Sequence, residues 1–155
     1  MFDPRSAERE LGLTNGLSAH HWGASALFAR AELRQGVSVS PTVLIVDDHA
    51  GFRRVAREIL EADGYRVIAE SATGYDALEA AARVRPELVL LDVGLPDIDG
   101  VEVAGLLTAA DGNRAVILIS SRDAKDYEPL LARCGAQGFI PKAELCGSAI
   151  TALAA

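Results

Sequence analysis

The sequence predicts an α/β protein: a doubly wound, five-stranded parallel sheet with five helices, preceded by an N-terminal extension. Two observations carry this expectation. From residue 42 onward short apolar runs alternate with helical stretches, the rhythm of β-α-β units. Several of the runs are apolar throughout, as strands covered on both faces are. Composition agrees, because 155 residues, 50% apolar and 24% charged, suit one ordinary domain with room for an extension. It excludes a collagen-like, disulfide-stapled or wholly disordered chain.

Residues 1–40 are different material from the rest. Thr14-Asn15-Gly16 is a turn or helix-cap signal, and Gln35 to Pro41 is linker-like. Between them Leu17, Ala24, Leu27, Phe28 and Ala31 fall at roughly helical spacing, with Trp22 alongside. The expectation is a poorly ordered extension with one helix; the alternative is an amphipathic helix docked on the main domain or on a second copy. His20-His21 has no third metal ligand nearby in sequence.

The domain is expected over 41–155. Val43-Leu44-Ile45-Val46 is a first strand ending in Asp47-Asp48. Phe52 to Glu61 follows as a helix, with Phe52, Val55, Ala56, Ile59 and Leu60 on one face and Asp63-Gly64 closing it. Tyr65–Ala69 is a second strand. Thr73 can cap a helix over 74–84 that Pro86 terminates. Leu88–Leu91 delivers Asp92, and Pro96-Asp97-Ile98-Asp99-Gly100 is a loop before a helix over 101–110. Ala115–Ile119 is the fourth strand, ending at Ser120-Ser121. A helix from Asp123 or Asp126 runs to Cys134, where Gly135 stops it. Gln137–Ile140 is a short fifth strand and 143–154 a last helix. Right-handed crossovers then give the flavodoxin-like order 2-1-3-4-5, with ligands at the carboxyl ends of the strands.

Charge and cysteine content narrow the function classes. Fifteen Lys and Arg against 22 Asp and Glu give −7, which argues against direct nucleic-acid binding. Residues 1–40 are neutral, with Asp3, Glu8, Glu10 and Glu32 balanced by Arg5, Arg9, Arg30 and Arg34, so the whole surplus lies from Pro41 onward. No run of 18 apolar residues is available for a membrane span, and the acidic start is unlike a secretory signal. Two cysteines, Cys134 and Cys146, suit packing positions in a reduced cytoplasmic setting.

The strand-end rule turns these assignments into chemistry. Asp47, Asp48, Asp92, Ser120 and Lys142 should converge on one sheet edge. Three carboxylates in one pocket repel, so either a pKa rises or a cation sits among them. With only oxygen ligands on offer, that cation would be Mg2+ or a similar hard ion. A lysine and a hydroxyl opposite suit an incoming phosphoryl group.

With these residues in place, 42–155 resembles the receiver domain of a two-component response regulator. The matching stretches are Val46-Asp47-Asp48, Leu91-Asp92-Val93-Gly94-Leu95-Pro96-Asp97-Ile98-Asp99-Gly100, Ile119-Ser120-Ser121 and Gly135 to Lys142. The resemblance implies that Asp92 is the phosphoacceptor, receiving a phosphoryl group from a phosphohistidine of a sensor histidine kinase or phosphotransfer protein. It implies a Mg2+ site made by Asp48, by Asp47 through water, by Asp92 and by the Gly94 carbonyl. Lys142 would pair with the phosphoryl oxygens, and the Ser121 N–H would face them. Ser120 and Phe139 would be the switch residues, reshaping the face of helix 4, strand 5 and helix 5 for a downstream protein target or a second copy.

Three positions depart from the usual pattern. Gly94 stands where many relatives carry a larger side chain, Ser121 where Ala or Gly is commoner, and Pro141 precedes Lys142 where many relatives have Pro after it. Asp47-Asp48-His49 with Phe52-Arg53-Arg54 resembles receivers that precede a DNA-binding output domain. No such domain follows here, so a stand-alone receiver and a fragment of a longer regulator are both expectations. Competing classes are a constitutive interaction module of the same fold and an aspartyl phosphatase. Asp92-Val93-Gly94 lacks the second acid that such hydrolases place two residues on. A dinucleotide-binding domain is disfavoured because acids, not a glycine-rich loop, follow strand 1.

Overall fold

Strand β1 (Thr42–Val46) is buried throughout beyond its first residue, and the rest of the architecture is built outward from it in the computed structural model. Residues 40–122 and 124–154 are described; the expected extension over 1–40, with its candidate helix and histidine pair, falls outside them except for Ser40. The chain continues as α1 (Ala50–Ala62), β2 (Arg66–Ser71), α2 (Gly74–Val84), β3 (Leu88–Asp92), α3 (Gly100–Ala110), β4 (Ala115–Ser120), α4 (Glu128–Cys134), β5 (Gly138–Pro141) and α5 (Gly147–Leu153). The sheet order is β2-β1-β3-β4-β5 and every pairing is parallel, as expected.

Side-chain alternation along the strands sorts the core into two layers. Val43, Ile45, Leu88, Leu90, Ile117 and Ile119 meet Ala56 and Leu60 of α1 and Ile150 of α5. Leu44, Val46, Val89, Leu91, Val116 and Leu118 meet the other three helices through Ala77, Ala81, Val103, Leu107 and Cys134. Both faces of the central strands are thus dry, which explains their unbroken apolar sequence. Truncating one of these leucines to alanine removes about 2–5 kcal/mol of stability.

Local chemistry sets the helix ends. Thr73 caps α2, its Oγ1 accepting the Asp76 N–H at 3.2 Å. A second cap comes from outside the segment: Asp97 accepts the N–H groups of Gly74 at 2.8 Å and Tyr75 at 3.0 Å. A Cβ at Gly74 would collide with Ile98, so glycine is what lets the β3–α3 loop lie against the start of α2. At the other end of α2, Arg85 adopts a left-handed φ of 49°. Pro86 disfavours the right-handed helical conformation in the residue before it, which ends the helix there.

Two expected helices begin later than the sequence suggests. Residues 124–126 form a single 3₁₀ turn and α4 starts at Glu128. Pro129 accounts for this: it has no N–H to donate to Lys125, and its ring would press on that carbonyl, so it is tolerated only in a first turn. The last helix, expected from 143, is preceded by a 3₁₀ turn over Lys142–Glu144 and starts at Gly147. Leu145 interrupts it, taking an extended conformation that buries its side chain. Gly147 then donates to Asp63 Oδ2 at 2.7 Å, and a Cβ at this position would run into the same aspartate.

The short α4 is tied down at its C-terminus. Thr108 Oγ1 of α3 donates to the Cys134 carbonyl at 2.8 Å, and Gly135, with φ +75°, packs its backbone against Thr108.

Candidate functional site

Four strands end at one edge, and their following residues form an acidic pocket. β1 delivers Asp47, completely buried, and Asp48, whose side chain is a third exposed. β3 ends in Asp92, 5% exposed, and β4 in Ser120, 6% exposed. β5 leads to Lys142, which reaches back across the edge. Its Nζ lies 2.6 Å from Asp47 Oδ2 and 3.3 Å from Asp92 Oδ2. Ligand atoms of Asp47, Asp48, His49 and Asp92 all lie within 4.8 Å of one another.

Backbone and neighbouring side chains hold this arrangement. His49 N–H donates to Asp47 Oδ1 at 2.8 Å, and Arg53 of α1 donates to the Asp47 carbonyl at 2.6 Å. Arg53 Nε is also 3.4 Å from Glu70 Oε1 at the end of β2, so α1, β1 and β2 are linked beside the pocket. On β3, Gly94 N–H donates to Asp92 Oδ1 at 3.1 Å. Gly100 brings the start of α3 against the Asp92 carbonyl and Val93, leaving no room for a Cβ.

The electrostatics follow from two buried carboxylates, Asp47 and Asp92, facing one ammonium, with Asp48 alongside at the rim. Burial raises the pKa of Asp92, with the charge of Asp47 adding to it; the Gly94 hydrogen bond and Lys142 oppose the rise without cancelling it. Burial works against the charge on Lys142, but its hydrogen bond to Asp47 and the charges of Asp92 and Asp47 prevail and raise its pKa. The Asp92 shift is first a cost of burying a charge, whereas the Lys142 shift records the acids around its ammonium. A cavity of that kind, offering hard oxygen donors, fits a divalent cation such as Mg2+.

Of the residues singled out from sequence, Asp47, Asp48, Asp92 and Lys142 are brought together. Gly94 sits beside Asp92, and the contact it makes is through its N–H, not its carbonyl. Ser120 accepts the Arg122 N–H at 3.1 Å on its Oγ, and Ser121 is exposed, lining a shallow groove with Lys142 and Phe52. Phe139 lies half-buried on β5, packed against the core layer that α2, α3 and α4 cover. Its ring stacks on Tyr127 at 5.1 Å between centroids and 17° between planes.

Sequence reasoning missed four participants. His49 Nδ1 is 2.9 Å from Asp48 Oδ1, and Arg53 grips the β1–α1 loop. The Phe52 ring faces Lys142 Nζ at 4.6 Å, and Tyr127 faces Phe139. Phe52 left a signal as an apolar residue at the first turn of a helix beside the acids, His49 and Arg53 only as members of a stretch that resembles other receivers, and Tyr127 none.

The comparisons agree with this geometry. A family model describing the response regulator receiver domain matches residues 43–152. The chemotaxis protein CheY of Thermotoga maritima is 30% identical over 100 residues, 64% of this chain and 83% of that protein. A Pseudomonas aeruginosa protein assigned as a transcriptional regulator is 36% identical over 102 residues, 66% of this chain but 49% of that protein. The chain thus spans about half the length of such relatives. Among solved structures, the CheX–CheY complex of Borrelia burgdorferi with BeF3 and Mg2+ superposes with a TM-score of 0.67 at 25% identity, covering 75% of this chain and 87% of that one. No helix among the described residues is long and apolar enough to cross a membrane. Fold, strand-end acids and family match converge: this chain belongs to the response regulator receiver domains of two-component signalling.

Proposed function

We propose that the domain is a phosphorylation-controlled switch in which Asp92 accepts a phosphoryl group from a sensor histidine kinase or phosphotransfer protein. The observation that carries the reading is Lys142 Nζ, held 3.3 Å from a buried Asp92 carboxylate at the end of the central strand, with two further acids alongside. Asp92 is the nucleophile: one carboxylate oxygen forms the bond to phosphorus as the donor bond breaks. Lys142 offsets charge on the phosphoryl oxygens, and the Ser121 N–H would donate to them. Asp47, Asp48, the Asp92 carboxylate and the Gly94 carbonyl would hold Mg2+, which when bound supplies positive charge opposite the transferring group. The Borrelia burgdorferi CheY complex, containing BeF3 and Mg2+, supports this reading by likeness.

In the switch step, the Ser120 hydroxyl exchanges the Arg122 N–H for a phosphoryl oxygen, and Phe139 leaves its stack on Tyr127. The face of α4, β5 and α5 changes as a result, which a downstream protein or a second copy of the chain would sense. The test is labelling by acetyl phosphate, followed by intact-mass measurement. Wild type should gain one acid-stable, base-labile phosphoryl group only with Mg2+, and Asp92→Asn should gain none. Labelling of Asp92→Asn at the wild-type level sinks the assignment.

A further inference from the structure

Among the described residues Lys142 has three partners in the pocket, and one of them carries no charge. Its Nζ lies 2.6 Å from Asp47 Oδ2, 3.3 Å from Asp92 Oδ2 and 4.6 Å from the centre of the Phe52 ring. Phe52 stands in the first turn of α1, half-buried, with one side packed against the core layer beneath that helix. Its ring and Lys142 line the groove that opens beside the acids, together with His49, Val55 and Ser121.

We propose that Phe52 is a positioning residue for phosphoryl transfer, its ring face holding the Lys142 ammonium over the site. The inference rests on the reading of Asp92 as phosphoacceptor. Its physical basis is a competition. The carboxylate oxygens that hold Lys142 belong to the groups that a divalent cation would draw on, and Asp47, at 2.6 Å, makes the shortest of the lysine contacts. Once those oxygens have another partner, their pull on the ammonium weakens, while the quadrupole of the ring is unchanged. A lysine with four rotatable bonds and weakened ionic contacts would otherwise swing into the open groove.

A π face has a second useful property: it attracts a cation without a directional bond. The ammonium can therefore move across the ring from Asp47 toward oxygens arriving at Asp92 without losing its partner. During transfer the Asp92 oxygen bonds to phosphorus, the bond from phosphorus to the donor atom breaks (P–N in a phosphohistidine, P–O in acetyl phosphate), and the leaving group departs with that electron pair. Lys142 is needed where the charge is then spread, on the equatorial oxygens.

Phe52 also fills space against the core, so the test must separate the ring face from apolar volume. Phe52→Leu keeps most of the volume and removes the face; Phe52→Tyr keeps both. Three readouts on the full chain decide: acetyl phosphate labelling rate against Mg2+ concentration, thermal unfolding, and the NMR position of the Lys142 ε-methylene protons. In Phe52→Leu the rate at saturating Mg2+ should fall by about three- to tenfold, the worth of a partly desolvated cation–π contact, with Phe52→Tyr restoring it. The Mg2+ concentration for half-maximal rate should stay in place. The Lys142 ε-methylene resonance should lie upfield through ring current in wild type and Phe52→Tyr, with and without Mg2+, and move to the ordinary lysine position in Phe52→Leu.

The proposal is overturned if Phe52→Leu labels at the wild-type rate, or if the lysine resonance is not upfield in wild type. It is equally overturned if both variants lose rate together with Mg2+ affinity and thermal midpoint, which is the signature of packing alone. These outcomes leave the phosphoacceptor reading standing, because wild type would still label at Asp92. Failure of wild type to label there overturns that reading and the positioning role with it.

Discussion

Replacing Asp92 by Asn should make the metal-free domain more stable, although it removes a residue held by two contacts. The balance can be worked from the pocket. Lys142 Nζ at 3.3 Å attracts the carboxylate by about 5 kcal/mol at an effective dielectric of 20, while Asp47, within 4.8 Å, repels it by about 3.5 kcal/mol. The charge contacts thus favour ionised Asp92 by at most about 1.5 kcal/mol, since 4.8 Å is an upper limit for the Asp47 distance, and Asp48, a third exposed, adds solvent-screened repulsion. Against this stands desolvation of a carboxylate that is 5% exposed, several kcal/mol per ion after relaxation. Asn keeps the shape and an oxygen for the Gly94 N–H, giving up about 1 kcal/mol as that bond loses its charge. Lys142 keeps Asp47 as its partner in the variant. The net is a gain of about 1–2 kcal/mol, or roughly 4–8 °C in Tm for a domain of this size.

The sign agrees with the direction of the Asp92 pKa. A carboxyl raised above its unfolded value destabilises the fold while ionised, at neutral pH, and ceases to do so as pH falls through the raised value. Thermal unfolding in EDTA at neutral pH measures the effect. Mg2+ should then stabilise wild type more than the variant, narrowing the gap or reversing it. An Asn variant that melts below wild type in EDTA would refute the account of the pocket as over-charged.

Other consequences are testable with the same material. Lys142→Met should slow labelling of Asp92 by about a hundredfold, as removal of a charge-stabilising donor does, and should destabilise the metal-free domain by about 3 kcal/mol through two uncompensated buried carboxylates. Single-turnover labelling and unfolding measure the two effects. Gly100→Ala should lower stability by about 2–4 kcal/mol, because its methyl has to displace the backbone of Asp92 and Val93; chemical denaturation checks it. Asp97 is held below the usual carboxylate range, first by the Tyr75 N–H and then by that of Gly74. Its contribution is therefore complete above the ordinary Asp value of about 3.9 and lost as pH falls through the depressed one. Asp97→Ala should lower stability at neutral pH, and the difference from wild type should shrink only below that ordinary value, as unfolding measured across pH would show.

The sheet and the pocket were legible because both depend on short-range pattern. A run such as Leu88–Leu91 needs no knowledge of its neighbours to be recognised as a strand dry on both faces, and the acid after it falls at the edge where parallel strands end. Helix starts were less legible where tertiary contacts decide them. Leu145 interrupts the last helix because the core has room for its side chain, and Gly147 begins it because Asp63 is there to accept its N–H. Neither fact is local. Pro129 was different, a local signal that outranks the aspartates before it as a marker of the helix start. Within the site, the four ionic residues were legible from strand position alone. Phe52, Arg53 and Tyr127 were not, because their roles depend on where a ring or guanidinium points. Asp97, 23 residues from Gly74, caps a helix that the chain has already left behind.

The attachment of α4 at Cys134 has a mechanical consequence. Seven residues make a rod about 10 Å long. One end is pinned, since the Thr108 hydroxyl holds the last carbonyl and Gly135, lacking a Cβ, lets the backbone lie close against Thr108. A push on a rod fixed at one end produces rotation, not translation, and displacement grows toward the far tip. That tip is where Tyr127 rests against Phe139. A shift at the aromatic stack would thus be converted into a swing of α4 about its own C-terminus, with Thr108 as the fulcrum.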